Sequence, residues 1–372
     1  MRGFACSDCG SVHAFLDPIW RCTSCGGLLE LEPPDTGAGG AARDPGRREQ
    51  SLWRYRESFP FDRRWEGWRS ITMGEGMTPT VPVAANRPGL LVKVEYASPT
   101  LSFKDRGAAL LVARAAAVGA THLIADSSGN AGRAIAAYAA RAGLACTVFV
   151  PAASGPAKIA RIARYGATVE QVGDTREATA DAAVASAEAD PAAFYASHVW
   201  DPTFHEGTKT FVYELWEQLG RLPDALILPV GNGTLLLGAA LGLLELEAAG
   251  KIDHYPRLIA VQAARCAPLA TAFAAGRDDI AVTVNEGTAA EGIAIAAPAR
   301  ARHILAAVRL TGGRFVAVGE DAIAAAGIAL AANGFDVDPT AAATWAGFEA
   351  SGAGADGETV VIPLCAAGKP TV

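Results

Sequence analysis

Ser98-Pro99-Thr100-Leu101-Ser102-Phe103-Lys104-Asp105-Arg106-Gly107 follows closely on an apolar run, Leu90-Leu91-Val92-Lys93-Val94-Glu95-Tyr96. The run is short and rich in Leu and Val, and it reads as a strand. Pro99 and Ser102 carry loop and cap signals, and an apolar pattern with helical spacing runs from Phe103 to about Val118. Lys104 is thereby placed at a helix start, beside the positive end of the helix dipole and close to Arg106. Both disfavour an ammonium and lower a lysine pKa, the direction that Schiff-base chemistry requires. The same position also suits an ordinary solvated surface lysine, so the rest of the chain has to separate the two readings.

Two later stretches repeat the strand-to-helix theme. Asp126-Ser127-Ser128-Gly129-Asn130-Ala131-Gly132 lies between a predicted strand, Thr121–Ala125, and a predicted helix, Ala131–Ala142. Val230-Gly231-Asn232-Gly233-Thr234 closes the strand Ala225–Val230 and opens the helix Leu235–Ala249. Each sets small residues where backbone N–H groups and a helix N-terminus can hold an anion. Either one taken singly is also an ordinary tight turn.

In the order lysine, Ser/Gly/Asn loop and Gly-rich loop, the sequence resembles the fold-type II pyridoxal-phosphate enzymes, and within them the threonine synthases. The resemblance runs from about Gly74 to Lys369. It is carried by Gly74-Glu75-Gly76-Met77-Thr78-Pro79, Ser102-Phe103-Lys104-Asp105-Arg106-Gly107, Ser127-Ser128-Gly129-Asn130, Glu206-Gly207-Thr208-Lys209-Thr210 and Pro229-Val230-Gly231-Asn232-Gly233. It implies an α/β protein whose smaller domain, residues 116–200, is inserted into a larger one, 71–115 and 201–372, with the cofactor between them. It makes Lys104 the lysine that carries pyridoxal 5'-phosphate and later shuttles a proton. Asn130 is set beside the ring hydroxyl, Ser102, Ser127, Ser128 and Gly129 at the substrate, and Gly231, Asn232, Gly233 and Thr234 at the cofactor phosphate. Cys365, after the predicted strand Thr359–Leu364, falls where the family places the partner of the pyridine nitrogen. A thiol there donates a weak hydrogen bond and suits elimination more than transamination. Read without the resemblance, Cys365 is an ordinary buried cysteine, as Cys146 and Cys266 are taken to be.

Away from these motifs, alternating strands and helices from Leu90 onward predict parallel sheets covered by helices, with ligands at the carboxyl ends of strands. Strands are expected near Leu123, Val148, Val169, Leu226, Ile259, Val316 and Val361, with helices near Ala136, Ile159 and Ala182. The 372 residues make more than one domain the expectation. A formal charge of −7 argues against nucleic acid or an anionic membrane as the main partner. The longest apolar stretch, around Leu235–Leu244, is too short to span a bilayer. No apolar segment like a signal peptide follows Met1-Arg2-Gly3, so a cytoplasmic location is expected, with an amino acid as substrate and a homodimer as the assembly.

Cys6, Cys9, Cys22 and Cys25 form two C-x-x-C pairs, each followed by Gly, within the first 26 residues. Two such knuckles complete a tetrahedral zinc site; disulfides are the other reading, which a reducing compartment disfavours. A closed four-cysteine site has no open coordination position and is structural. Similar ribbons occur in some threonine synthases. The ribbon is expected over 1–32, followed by a Pro-, Gly- and Ala-rich linker, Pro33–Gly46, and an aromatic arm within 33–70. That arm, with Trp53, Tyr55, Phe59, Phe61, Trp65 and Trp68, is expected to pack against the main body or a second subunit.

Three departures from the family pattern bear on the substrate. Asp201-Pro202-Thr203-Phe204-His205-Glu206-Gly207 aligns where threonine synthases commonly read Asn-Pro-x-Arg-x-Glu-Gly. Phe204 therefore replaces an arginine that would clamp a substrate phosphate with a charge-assisted fork. Leu101 and Ser98 replace the Gly and Asn usual before the lysine. Thr288-Ala289-Ala290-Glu291-Gly292-Ile293-Ala294-Ile295 is closer to the dehydratase pattern. His198, His205 and Arg133 are candidates to replace the missing clamp. The resemblance thus implies conversion of O-phospho-L-homoserine to L-threonine and phosphate. The alternative is a serine/threonine dehydratase or β-replacement enzyme acting on a non-phosphorylated or activated serine-type amino acid.

Overall fold

The amino-terminal cysteines fold around a strand triplet in the order β2-β1-β3, with β1 at Phe4–Cys6, β2 at Val12–His13 and β3 at Leu29–Leu31. The structure is a computed structural model that describes residues 2–33 and 49–368. The expected linker from Pro33 to Gly46 and the last residue of the resemblance, Lys369, lie outside the described residues, Pro33 excepted. Phe4, Phe15 and Leu29, with Cys6 and Cys22, make the ribbon's own small core. The chain forms two units, residues 1–76 with 104–207, and residues 77–103 with 208–372.

In the first unit the aromatic arm packs on the main body, one of its two expected places. Trp53 is buried and stacked on Trp68 at 5.4 Å, and its indole N–H donates to Glu75 Oε1 at 2.7 Å. Glu75 has no exposed surface, and its other oxygen accepts from Tyr138 Oη at 2.9 Å and from the Met73 N–H at 2.8 Å. Burial and this carboxylate push the Tyr138 phenol well above its ordinary range. A buried carboxylate satisfied by several donors ties the arm to the sheet domain.

Two strands of the second unit come next in the chain, β4 (Thr80–Pro82) and β5 (Leu90–Lys93). Helix α1 (Lys104–Ala117) then returns to the first unit. There β6 (His122–Ala125), α2 (Asn130–Ala142), β7 (Ala145–Val150), α3 (Pro156–Ala163), β8 (Thr168–Gln171), α4 (Arg176–Ala189) and β9 (Ala193–Tyr195) alternate. Their four strands form a wholly parallel sheet in the order β8-β7-β6-β9. Short helix α5 (Thr203–Thr208) closes this part of the chain.

The second unit continues through α6 (Thr210–Leu219), β10 (Ala225–Pro229), α7 (Thr234–Ala248), β11 (Arg257–Ala263), α8 (Pro268–Ala274), α9 (Ala301–Leu310), β12 (Arg314–Val318), α10 (Glu320–Ala332), α11 (Pro339–Ser351) and β13 (Val360–Pro363). Its sheet runs β12-β11-β10-β13-β5-β4, parallel except at β4, which pairs antiparallel with β5. The antiparallel edge was not legible in the period of the sequence. Val92, Ile227, Ile259, Val261 and Ile362 supply the apolar face, packed under Trp345 and the small residues of α11. The expected α/β architecture with parallel sheets under helices is the one observed. Among the described residues no helix is long and apolar enough to cross a membrane.

Candidate active site

Lys104 is the first residue of α1, as its sequence context predicts. Opposite it stands Phe204, with no exposed surface, its ring centroid 5.6 Å from the Lys104 Nζ. The ring lies on the first turn of α1 because residue 107 is glycine. A Cβ there would come within 2.3 Å of the Phe204 ring. His198 packs edge-on to Phe204 at 5.9 Å and is almost fully buried. Burial, with Lys104, Arg176 and His205 nearby, holds its imidazole well below the usual 6.5, so the ring is neutral. Its Nδ1 is buried and makes no hydrogen bond.

The Ser/Gly/Asn loop leaves the carboxyl end of β6, where the doubly wound topology places ligands. Ser127 Oγ accepts from the Gly129 N–H at 3.3 Å, and α2 starts at Asn130 with no side-chain cap, which leaves its first N–H groups for an anion. Just before this loop, Asp126 keeps one buried carboxylate oxygen without a hydrogen bond, and burial raises its pKa. Arg133 sits in the first turn of α2, half-buried, with its Nε unpartnered.

In the second unit the residues before the lysine lie along the segment that follows β13. The Phe103 N–H donates to the Cys365 carbonyl at 3.0 Å, and Ser102 bridges to Ala366. Cys365 is buried directly beyond β13. Leu101 adopts φ +58°, the left-handed region, at the position where the family usually carries glycine. The Gly-rich loop follows β10 as predicted. Gly233 has φ +72°, and a Cβ there would meet Ile304 at 2.5 Å, so the turn admits only glycine. Helix α7 begins at Thr234 without a side-chain cap from Gly233, and the positive end of its dipole faces the loop. The small residues of this loop suit an anion held by backbone N–H groups. In the first unit, the half-buried Lys104 has the chemistry to form a Schiff base with a carbonyl cofactor.

The four amino-terminal cysteine sulfurs lie within 4.8 Å of one another. Cys6 and Cys25 are 3.5 Å apart and Cys9 and Cys22 3.7 Å. Tetrahedral thiolates around zinc are spaced about 3.8 Å, given Zn–S of about 2.3 Å. The two knuckles match: Gly10 N–H donates to the Cys6 carbonyl at 3.0 Å and Gly26 N–H to the Cys22 carbonyl at 2.8 Å. His13 Nε2 adjoins Cys22 Sγ at 3.4 Å and helps lower that thiol to about 5. The donor set and spacing fit a zinc ion.

A model of the pyridoxal-phosphate dependent enzymes matches residues 71–366. The chain belongs to that family. This pyridoxal-phosphate dependent enzyme is 33% identical to the threonine synthase of Methanocaldococcus jannaschii over 357 residues, covering 92% of this chain and 86% of that one. It is 33% identical to the threonine synthase of Mycobacterium leprae, covering 79% and 80%. Among solved structures, a T.th. threonine deaminase superposes with a TM-score of 0.66 at 27% identity, over 78% of this chain and 94% of that chain. Maize serine racemase, at 22% identity and a TM-score of 0.67 over 79% and 89%, shares the fold.

Sequence reasoning located Lys104, Phe204 and His198 separately; the fold brings these three together within the first unit. It overlooked Arg176, at the start of α4, whose charge reaches His198 and Asp126, and the buried pair Arg114–Asp201. An arginine in the middle of an Ala- and Leu-rich helix was the signal available for the second.

Proposed function

We propose that the enzyme is a lyase of the threonine synthase type, converting O-phospho-L-homoserine to L-threonine and phosphate. The observation that carries this reading is the one-third identity to threonine synthases across most of both chains. Pyridoxal phosphate, when bound, supplies an electron sink for a carbanion at the α-carbon of an amino acid. Lys104 holds the cofactor and moves the α-proton at its Nζ. Asn130 orients the cofactor ring, and Cys365 donates a weak neutral hydrogen bond to the ring nitrogen. The backbone N–H groups of Gly231, Asn232, Gly233 and Thr234 bind the cofactor phosphate. Ser102, Ser127, Ser128 and Gly129 bind the substrate, Ser127 to Gly129 at its carboxylate. Cys6, Cys9, Cys22 and Cys25 bind one structural zinc. The protein works in the cytoplasm as a homodimer.

A second reading is favoured by Phe204. A phenyl ring and a neutral imidazole beside Lys104 offer no charge-assisted fork to a phosphate dianion. They suit the side chain of serine or threonine, whose elimination yields a 2-oxo acid and ammonia. A steady-state assay with O-phosphohomoserine, threonine, serine and O-phosphoserine, measuring phosphate and 2-oxo acid separately, tests both. Phosphate release from O-phosphohomoserine with threonine formed supports the first reading. A 2-oxo acid from serine or threonine, with O-phosphohomoserine ignored, replaces it by the second.

A further inference from the structure

One buried charge outside the residues just assigned gathers several elements of the first unit. Arg114 lies ten residues after Lys104 in α1, nearly three helical turns on, and has no exposed surface. Its Nη1 pairs with Asp201 Oδ2 at 2.6 Å. Its Nε donates to the Phe15 carbonyl at 3.0 Å, and its Nη2 donates to the carbonyls of Asp17 and, at 3.1 Å, Ile19. The rings of Phe4 and Phe194 stand 4.6 and 5.1 Å from the guanidinium carbon. A buried guanidinium is tolerated because each of its three nitrogens has a hydrogen-bond partner and aromatic rings cover it, and a lysine could not reach that many.

All three carbonyls belong to the loop between Cys9 and Cys22. That loop is anchored by one cysteine of each knuckle. On the other side, Asp201 Oδ1 accepts the Thr203 N–H at 2.9 Å, at the start of α5, which carries Phe204 onto α1. A second tie runs beside the first. Arg2, next to β1, pairs with the buried Glu206 of the same helix at 2.6 Å. Trp20, in the same loop, meets the edges of Tyr195 and Trp200 at 5.0 and 5.4 Å. Ribbon loop, Arg114, Asp201, α5, Phe204 and Lys104 therefore form one continuous chain of contacts.

We propose that Arg114 and Asp201 are positioning residues for the Lys104–Phe204 pair, and that metal binding at the cysteine cluster holds them in place. The ribbon is then a support of the active site and not a detached appendage. The inference rests on the zinc reading of the cluster and is independent of which amino acid is the substrate.

Hydrogen–deuterium exchange of the full-length holoenzyme tests it: as purified, after zinc removal by a chelator, after zinc is restored, and in Arg114→Lys. Zinc removal is expected to raise exchange about tenfold or more in peptides covering residues 104–112 and 198–207, as well as in the ribbon. Peptides covering 156–171 stay unchanged, and added zinc reverses the effect. Arg114→Lys keeps a charge for Asp201 but loses the fork to the loop. It is expected to reproduce the metal-free exchange with zinc still bound, and to shift the pH dependence of the cofactor's visible band. Loosening confined to residues 1–32 on zinc removal overturns the proposal, as does full protection of 198–207 in protein that never held zinc. Should Arg114→Lys fail to fold, the chelation arm decides alone. Failure to turn over O-phosphohomoserine would change the substrate reading and leave these exchange results intact.

Discussion

The Lys104 ammonium stands 5.6 Å from the centre of the Phe204 ring, over a helix turn that only glycine at 107 keeps open. Cation and ring are in reach of each other, in a place where an arginine would repel the lysine and attract a phosphate.

Phe204→Arg is expected to change substrate preference. Kinetics should show the KM for O-phosphohomoserine falling by an order of magnitude or more, as expected from a charge-assisted bond worth about 1.5–3 kcal/mol. An unchanged KM ratio between O-phosphohomoserine and threonine would place the substrate's γ-substituent away from residue 204.

Lys104 should be the lysine that borohydride traps. Reduction of the yellow holoenzyme is expected to bleach its visible band and to leave the adduct on the peptide containing Phe103-Lys104-Asp105. Lys104→Ala should lower kcat by at least about a hundredfold, in line with loss of a positioned acid–base group. Recovery of the adduct on Lys93 or Lys209, both buried in ion pairs of the second unit, would reassign the role.

Leu101 carries a left-handed backbone at φ +58° and is 46% exposed as a residue, so little packing compensates the strain. Leu101→Gly is expected to stabilise the fold by about 1 kcal/mol, the left-handed cost of about 1–2 less the entropy of a glycine. Urea denaturation measures it, and destabilisation by Leu101→Gly would mean that the leucine side chain has a packing role.

His198 supplies an acid sensitivity of known sign. Its folded pKa lies well below 6.5, so the folded ring stays neutral while the unfolded ring takes a proton as the pH falls past that value. Stability is therefore complete above about pH 6.5 and lost below it, at up to about 1.4 kcal/mol per pH unit until the folded pKa is reached. Melting curves of wild type and His198→Asn are expected to diverge from pH 6.5 downward, with the wild type falling faster. Parallel curves across pH 5 to 8 would show that His198 takes up its proton in the folded state as readily as in the unfolded one.

Much of this protein was determined by local sequence. Leucine- and valine-rich runs bounded by Gly, Pro and Ser place α1, α2, α7, β6 and β10 to within a residue or so, because strand and helix periods are written in neighbouring side chains. Lys104 at a helix start and Gly233 at a positive-φ turn are local facts of the same kind. So is the pairing of the two cysteine knuckles, whose spacing already carries their geometry. What the tertiary structure alone decided is which distant residues meet. Arg114 reads in sequence as one more polar position of an alanine-rich helix. It becomes a buried hub because β9, the ribbon loop and Asp201 converge on it. Phe204 reads as a lost clamp, and its role beside Lys104 exists only once Gly107 admits the ring. Burial and desolvation, which set the neutrality of His198, depend on side chains far apart in the chain, and no local pattern encodes them.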